Sequence, residues 1–211
     1  KRDVMCCMNA GNQGCGRKWS RMRIITDTGT DILDIEAKKL GIELVAIRSN
    51  FTDTVFSENT EAEFTRFYDK LRQTDTLPVS SQPSPAEFLE LFDDAKEKQE
   101  EVVVITISSK LSGTYNGAML AKDMAEYDNI YVVDSLQASL SERLLVEYAV
   151  KLRDAGMGAK ELVRKLEQDR ERVILTGVPS TLLYLKMGGR ISPVVAAVGG
   201  VIGIKPVLWL K

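Results

Sequence analysis

Histidine does not occur anywhere in the 211 residues of this sequence. Its absence excludes Ser-His-Asp and Cys-His nucleophilic catalysis and most zinc enzymes, which need an imidazole as base or ligand. Cysteine is nearly as scarce: there are three, Cys6, Cys7 and Cys15, and all precede Met22. Disulfides therefore play no part in the fold from Met22 onward, and a cytosolic protein is the simple expectation. The leader offers no C-x-x-C pair for a metal and no apolar stretch of the kind a secretory signal needs. Nowhere does an apolar run approach the ~18 residues of a membrane span. The G-x-S-x-G, G-x-x-x-x-G-K-[ST] and G-x-G-x-x-G patterns are missing as well, so hydrolase, P-loop and dinucleotide readings lack their signatures.

Positive charge is sparse outside the leader. Lys1, Arg2, Arg17, Lys18 and Arg21 face Asp3 alone in residues 1–21, and since the whole chain has a formal charge of −2, the remainder carries −6. An acidic body argues against nucleic-acid binding, which requires a basic face. We expect residues 1–21 to be an extension, disordered or foreign to the fold, ahead of a natural start at Met22. With 44% apolar and 27% charged residues, the chain has the make-up of an ordinary globular protein able to bury a real core.

What is present is an alternation of short apolar runs and helical spacing. Arg23–Asp27 reads as a first strand; Ile32, Ile35 and Leu40 then fall at helical spacing, with Gly41 as a stop. Leu44–Ile47 reads as a strand. Glu61–Arg72 is an amphipathic helix whose Phe64, Phe67, Tyr68 and Leu71 share a face, expected to pack in a core rather than line a ligand site. Pro78, Pro83 and Pro85 make the following segment an extended, ordered loop. Ser84 and Glu87 then form a capping-box pattern for a helix over Ala86–Gln99. Val102–Ile107 is a β-branched run suited to a strand buried on both faces. Helical segments are expected over Tyr115–Tyr127, Ala138–Ala155, Ala159–Glu171 and Leu182–Lys186, and strands over Ile130–Val133 and Val173–Val178. Lys205–Trp209 has the look of a strand start, and Pro193–Val201 of a closely packed helix.

This is an α/β pattern with parallel strands, and ligands of such sheets sit beyond the carboxyl ends of the strands. Four expected strand ends are rich in hydroxyls or acids: Thr26-Asp27-Thr28, Ser108-Ser109, Asp134-Ser135 and Ser180-Thr181. The same residue types are the commonest helix caps, so each position has a purely structural reading too. Asp27, Asp31 and Asp134 could hold a metal, although caps and turns use such residues more often. The segment Val102–Gly117, VVVITISSKLSGTYNG, is the most specific stretch: a strand, a hydroxyl-rich loop and a helix start directing N–H and O–H groups at one spot that suits an anion. With Arg190 available and no acid–base machinery, such a site binds an anion without transforming it. Two alternatives stay open, a phosphate- or sugar-handling α/β transferase and a non-catalytic regulatory module.

Several motifs in one order add a resemblance. Ser81-Gln82-Pro83-Ser84-Pro85, Ile107–Tyr115, Asp134-Ser135, Leu185–Ser192 and Gly203–Leu208 resemble those of the DegV family of bacterial proteins over Met22–Lys211, leaving the leader outside. The resemblance implies a long-chain fatty-acid-binding protein (palmitate being a typical ligand) of two α/β domains with the acyl tail buried between them, no metal and no cofactor. It implies no catalysis in this chain; some members are the acyl-carrying subunit of a fatty-acid kinase and present the carboxyl group to a separate ATP-using partner. The family's carboxylate contacts fall here on Ser80, where the family pattern is threonine, and on Ser112. Ser81, Gly113, Thr114 and Arg190 complete the expected ligand set, and Val194–Ile204 is expected to line the tail. The expected architecture is a parallel-sheet N-terminal domain over 22–150 with helices on both faces, and the start of a second, incomplete α/β domain over 151–211. Family members continue past Ile204-Lys205-Pro206 and carry a histidine there, so the absence of histidine describes this polypeptide alone. A second domain left partly built exposes apolar surface, from which self-association is expected.

Overall fold

The computed structural model describes residues 22–74, 76–191 and 207–210. The leader, the tail-lining stretch Val194–Ile204 and most of the motif Gly203–Leu208 lie outside those residues.

In chain order the elements are β1 (Met22–Asp27), α1 (Asp34–Leu40), β2 (Glu43–Val45), β3 (Arg48–Asn50), β4 (Val55–Phe56), α2 (Glu61–Gln73), β5 (Val79–Ser81) and α3 (Pro85–Glu97). They continue with β6 (Glu101–Thr106), α4 (Thr114–Ala125), β7 (Ile130–Asp134), α5 (Leu140–Asp154), α6 (Ala159–Asp169), β8 (Leu175–Gly177), α7 (Leu183–Met187) and β9 (Leu208–Leu210). Four strands form a parallel sheet in the order β2-β1-β6-β7. The α/β architecture is therefore as expected, with helices on both faces.

β6 sits in the interior of that sheet because nearly every side chain in it can be buried. Successive residues of a strand point to opposite faces. Val103 and Ile105 join one core with Ile24, Val133, and Leu145, Val146 and Ala149 of α5. Val102 and Val104 join the other with Ile25, and Phe88 and Phe92 of α3. On that second face α4 presents Ala118, Ala121 and Ala125, whose small side chains let the helix lie close to sheet and neighbour. Gly41 ends α1 at φ +61, donating its N–H to the Ala37 and Lys38 carbonyls, the left-handed cap that the glycine predicted.

Two features differ from the sequence reading. The proline-stiffened segment is not only a loop: β5 pairs with β3, and β3 with β4, as a small antiparallel sheet apart from the main one. Strands of two or three residues leave too little alternation to be read in sequence. The expected division after Val150 falls inside α5, and Ala159, Leu162 and Leu166 of α6 are buried in the same core as β6. Beyond α6, β8 pairs antiparallel with β9, away from the main sheet. Among the described residues no helix is long and apolar enough to cross a membrane.

Candidate functional site

The strand-to-helix loop after β6 is pinned from beneath. At the end of β1, Asp27 turns its carboxylate under the sheet edge and accepts the Ile107 N–H (2.8 Å) and the Gly29 N–H (2.9 Å). Ser108 donates its N–H to the Gln137 carbonyl (2.8 Å), and Ser109 donates to Asp134 Oδ1 (3.1 Å). The Ser108 carbonyl in turn accepts the N–H groups of Leu111 (2.9 Å) and Ser112 (3.1 Å), folding the loop over so that Ser112 faces outward. Three of the four expected strand ends thus meet at one edge. Ser180-Thr181 does not join them; Thr181 Oγ1 caps the short helix α7 by accepting the Leu183 N–H (3.1 Å).

These carboxylates are committed to backbone N–H groups. Asp134 Oδ1 also accepts from Leu136 (3.0 Å). Burial pushes the Asp27 carboxyl up to about 6 against the pull of its two N–H donors. Behind it lies Glu142, fully buried. Burial, with the Asp27 and Asp31 charges adding to it, holds Glu142 well above the ordinary carboxylate range; the neighbouring Thr26 hydroxyl opposes this only weakly. Glu142 gave no signal in the sequence, since it sits at a helical position where a solvated acid is ordinary. Among the described residues no group of three potential metal ligands forms.

The loop carrying Ser80 meets the Ser112 loop through Gln82. The Gln82 side chain lies so close over Gly113 that a Cβ there would stand 2.0 Å from its Oε1. With a larger residue at 113 the exposed end of the Gln82 side chain would have to move. The Ser80 segment is held in turn by Arg48, whose guanidinium grips Glu87 with both ends (2.6 and 3.2 Å). That contact, with the Ser84 cap, pulls the Glu87 carboxyl down to about 2. The capping box of Ser84 and Glu87 is present as the sequence indicated.

Between these loops and the β8–β9 strand pair opens a cleft of about 1100 Å³. Ser80, Ser112, Gly113 and Arg190 line it, so four of the six expected ligand residues share one cavity. Much of its wall is apolar: Ile47, Phe67, Leu71 and Ile107 on one side, Leu175 and Leu208 on the other. Phe67 has both roles weighed for it. It packs edge-on against Phe56 (5.5 Å between ring centres) and also reaches the cleft. Ser81 is on the opposite face of β5 from Ser80, where its hydroxyl accepts from Asn50 Nδ2 (3.0 Å). Thr114 is buried beneath Ser112, the two hydroxyls 2.8 Å apart. Arg190 donates to the Gly188 carbonyl (2.6 Å) and reaches across to the Leu111 carbonyl (3.3 Å). Gln82 and the β8–β9 wall were not singled out from the sequence; the glutamine was visible in its motif, but its fit against Gly113 depends on two loops 31 positions apart.

The Ser112 oxygen also accepts the Thr114 N–H (3.4 Å). Either hydroxyl of the 2.8 Å pair can donate; when Thr114 does, the Ser112 hydrogen is free to turn into the cleft.

The chain is similar to known proteins in sequence and in fold. A DegV domain-containing protein of Caldanaerobacter subterraneus is 32% identical over 188 residues, covering 89% of this chain and 67% of the relative. Among solved structures, a DegV family protein from Thermus thermophilus, described for its fatty-acid binding, superposes with a TM-score of 0.78 at 32% identity, over 90% of this chain and 68% of that one. The fatty acid kinase B3 protein of Streptococcus pneumoniae, loaded with linoleic acid, gives a TM-score of 0.77 at 28% identity, over 90% and 69%. The chain spans about two thirds of the length of the relatives it matches. The model of the DegV family, a family of uncharacterised proteins, matches residues 21–211, so by family model, sequence identity and fold alike the chain belongs to the DegV family.

Proposed function

We propose that this chain binds a long-chain fatty acid, with its carboxylate at Ser80 and Ser112 and its tail along the apolar wall of the cleft. The observation that carries the reading is the convergence of these two hydroxyls, from separate loops, on one large and mostly apolar cavity. Its size slightly exceeds that of most ligand pockets, roughly 300–1,000 Å³, which leaves room for a long tail. Burying an acyl chain contributes about 0.8 kcal/mol per CH₂, so the tail supplies most of the affinity and the hydroxyls its orientation. The Thermus protein's fatty-acid binding and the linoleic acid in the Streptococcus protein support the same assignment.

The remaining expected residues take supporting roles in this reading. Gly113 makes room for Gln82, Thr114 polarises Ser112, Ser81 anchors β5 through Asn50, and Arg190 ties the mouth of the cleft to the Leu111 carbonyl. We read the chain as a cytosolic binding protein and not an enzyme, because the strand-end carboxylates Asp27 and Asp134 hold backbone N–H groups where a transferase would need them free. The neighbouring kinase protein suggests that the bound acyl group is presented to a kinase partner. We place the division between the two units after residue 173, which still packs against the parallel-sheet core. The exposed Val178, Leu183, Tyr184 and Met187 are the surface on which the expected self-association rests.

Native mass spectrometry of the purified protein tests the reading. A fatty acid should be carried through purification or taken up on titration with palmitate, and Ser80→Ala with Ser112→Ala should lower the fraction retained. A protein that stays empty at every palmitate concentration overturns it.

A further inference from the structure

The two walls of the cleft belong to different parts of the chain, and one buried side chain joins them. Gln137 lies in the turn between β7 and α5 and is 3% exposed. Its backbone carbonyl accepts the Ser108 N–H (2.8 Å), which opens the loop leading to Ser112. Its side-chain Nε2 donates to the Arg170 carbonyl (3.1 Å) and to the Val173 carbonyl (3.0 Å). Two residues after Val173 begins β8, whose Leu175, Thr176 and Gly177 form the opposite wall. One residue therefore fixes the base of both walls.

The surroundings hold Gln137 in place. Its N–H donates to Ser135 Oγ (3.0 Å), and that hydroxyl donates back to its carbonyl (3.2 Å). Arg170, itself one of the residues gripped, donates through Nη1 to the Asp134 carbonyl (2.5 Å). The neighbouring Leu136 and Ser139 have φ of 56° and 53°, a conformation that non-glycine residues adopt only when the surroundings impose it. Toward solvent the walls are joined again by Arg190 and the Leu111 carbonyl, an exposed 3.3 Å contact that water competes with. The buried end of the cleft is thus the firmly held one.

We infer that Gln137 is a positioning residue for the ligand: by holding the Ser108–Ser112 loop and the start of β8 at a set separation, it keeps the cleft closed around its occupant and governs how fast the occupant leaves. This rests on the fatty-acid reading of the cleft. Loss of the side chain's two donors removes the Gln137 contact from the Val173 carbonyl and from the Arg170 carbonyl, which keeps only the long Val173 N–H contact (3.3 Å), while the loop itself, bonded to the Gln137 backbone, stays in place. The two walls are then joined more loosely, through the Arg170–Asp134 and Arg190–Leu111 contacts, and release quickens more than capture slows, as is usual for changes within one binding site.

The test compares Gln137→Met, which keeps the length but not the donors, with Ser112→Ala and with Leu166→Ala, a core truncation on α6 away from the cleft. Palmitate release into phosphatidylcholine vesicles is followed by stopped flow, and amide exchange is followed at residues 108–112 and 175–177, with and without palmitate. In the unmodified protein palmitate should slow exchange at both walls. In Gln137→Met release should be about tenfold faster, and palmitate should protect residues 108–112 alone. Leu166→Ala should lower stability without separating the two walls. The inference is overturned if Gln137→Met releases palmitate at the unmodified rate, or if both walls remain protected together. Should the unmodified protein take up no palmitate, the fatty-acid reading fails by itself; faster exchange at residues 175–177 in ligand-free Gln137→Met would still support the latch, and unchanged exchange would overturn it.

Discussion

Gln82 rests against Gly113 so closely that a single added carbon on the glycine would stand 2.0 Å from the glutamine's Oε1. The contact interlocks the segment bearing Ser80 with the loop bearing Ser112, and it explains why a glycine stands at the start of α4. The φ of Gly113 is −78°, so it is the space and not the backbone conformation that calls for glycine here.

Gly113→Ala is therefore expected to lower palmitate affinity, about tenfold, while leaving folding stability within roughly 1 kcal/mol, because the end of a flexible side chain can swing away. Removing the obstacle should reverse the effect: the double variant with Gln82→Ala should bind more tightly than Gly113→Ala alone. Isothermal titration over this double-mutant cycle measures the coupling, and strictly additive losses would contradict the interlock.

The hydroxyl relay makes a graded prediction. A hydrogen bond to a charged group contributes about 1.5–3 kcal/mol, so Ser112→Ala should weaken palmitate binding by tenfold or more. Thr114→Val keeps the shape beneath Ser112 and removes the hydroxyl that pairs with it, for which about fivefold is expected. Equal losses from the two substitutions would mean that Thr114 touches the ligand itself.

Glu142 should make stability depend on pH in a direction opposite to that of most acids. Its carboxyl is raised in the folded state, so folding takes up a proton that the unfolded chain has released. The stability contributed by the neutral acid is complete below about 4.5 and declines as pH rises, by about 1.4 kcal/mol per pH unit until the folded protein also ionises. Glu142→Gln lacks this dependence. Urea midpoints should match at pH 4.5, and the variant should become the more stable of the two by pH 8; parallel profiles would show that Glu142 is charged in the fold.

The Arg48–Glu87 pair behaves in the usual sense. Glu87 is lowered to about 2, so its contribution is present above about pH 4.5 and is lost as pH falls toward 2. Both side chains are about one third exposed, which limits the effect of Arg48→Met to under roughly 1 kcal/mol at pH 7. Denaturation of the two proteins at pH 7 and at pH 2.5 should show the gap shrinking at the lower value. A gap that persists there would assign the loss to packing of the arginine stem and not to charge.

Local order was legible in the residues wherever one short-range rule governed it. The run Val102–Ile107 could be nothing but a buried strand, the capping box at Ser84 and Glu87 announced α3, and Gly41 announced the end of α1. It was the resemblance to the DegV family that paired Ser80 with Ser112, and both line the cleft. What depends on alternation or contact across many residues was not legible. A three-residue β5 shows no period, so nothing in the chain revealed that Ser80 and Ser81 point to opposite faces. Nor could spacing reveal that α6 packs on the first sheet, that the Gln82 side chain lies over Gly113, or that Gln137 reaches two carbonyls more than thirty positions away. The sequence by itself determined the alternation of strand and helix and the residue types at the strand ends, because backbone sterics, capping and hydrophobic periodicity act over a few neighbouring residues. Tertiary structure alone decided which hydroxyls face the cleft and what holds its walls together, because close packing and buried hydrogen bonds are relations between segments that only the folded chain brings within reach.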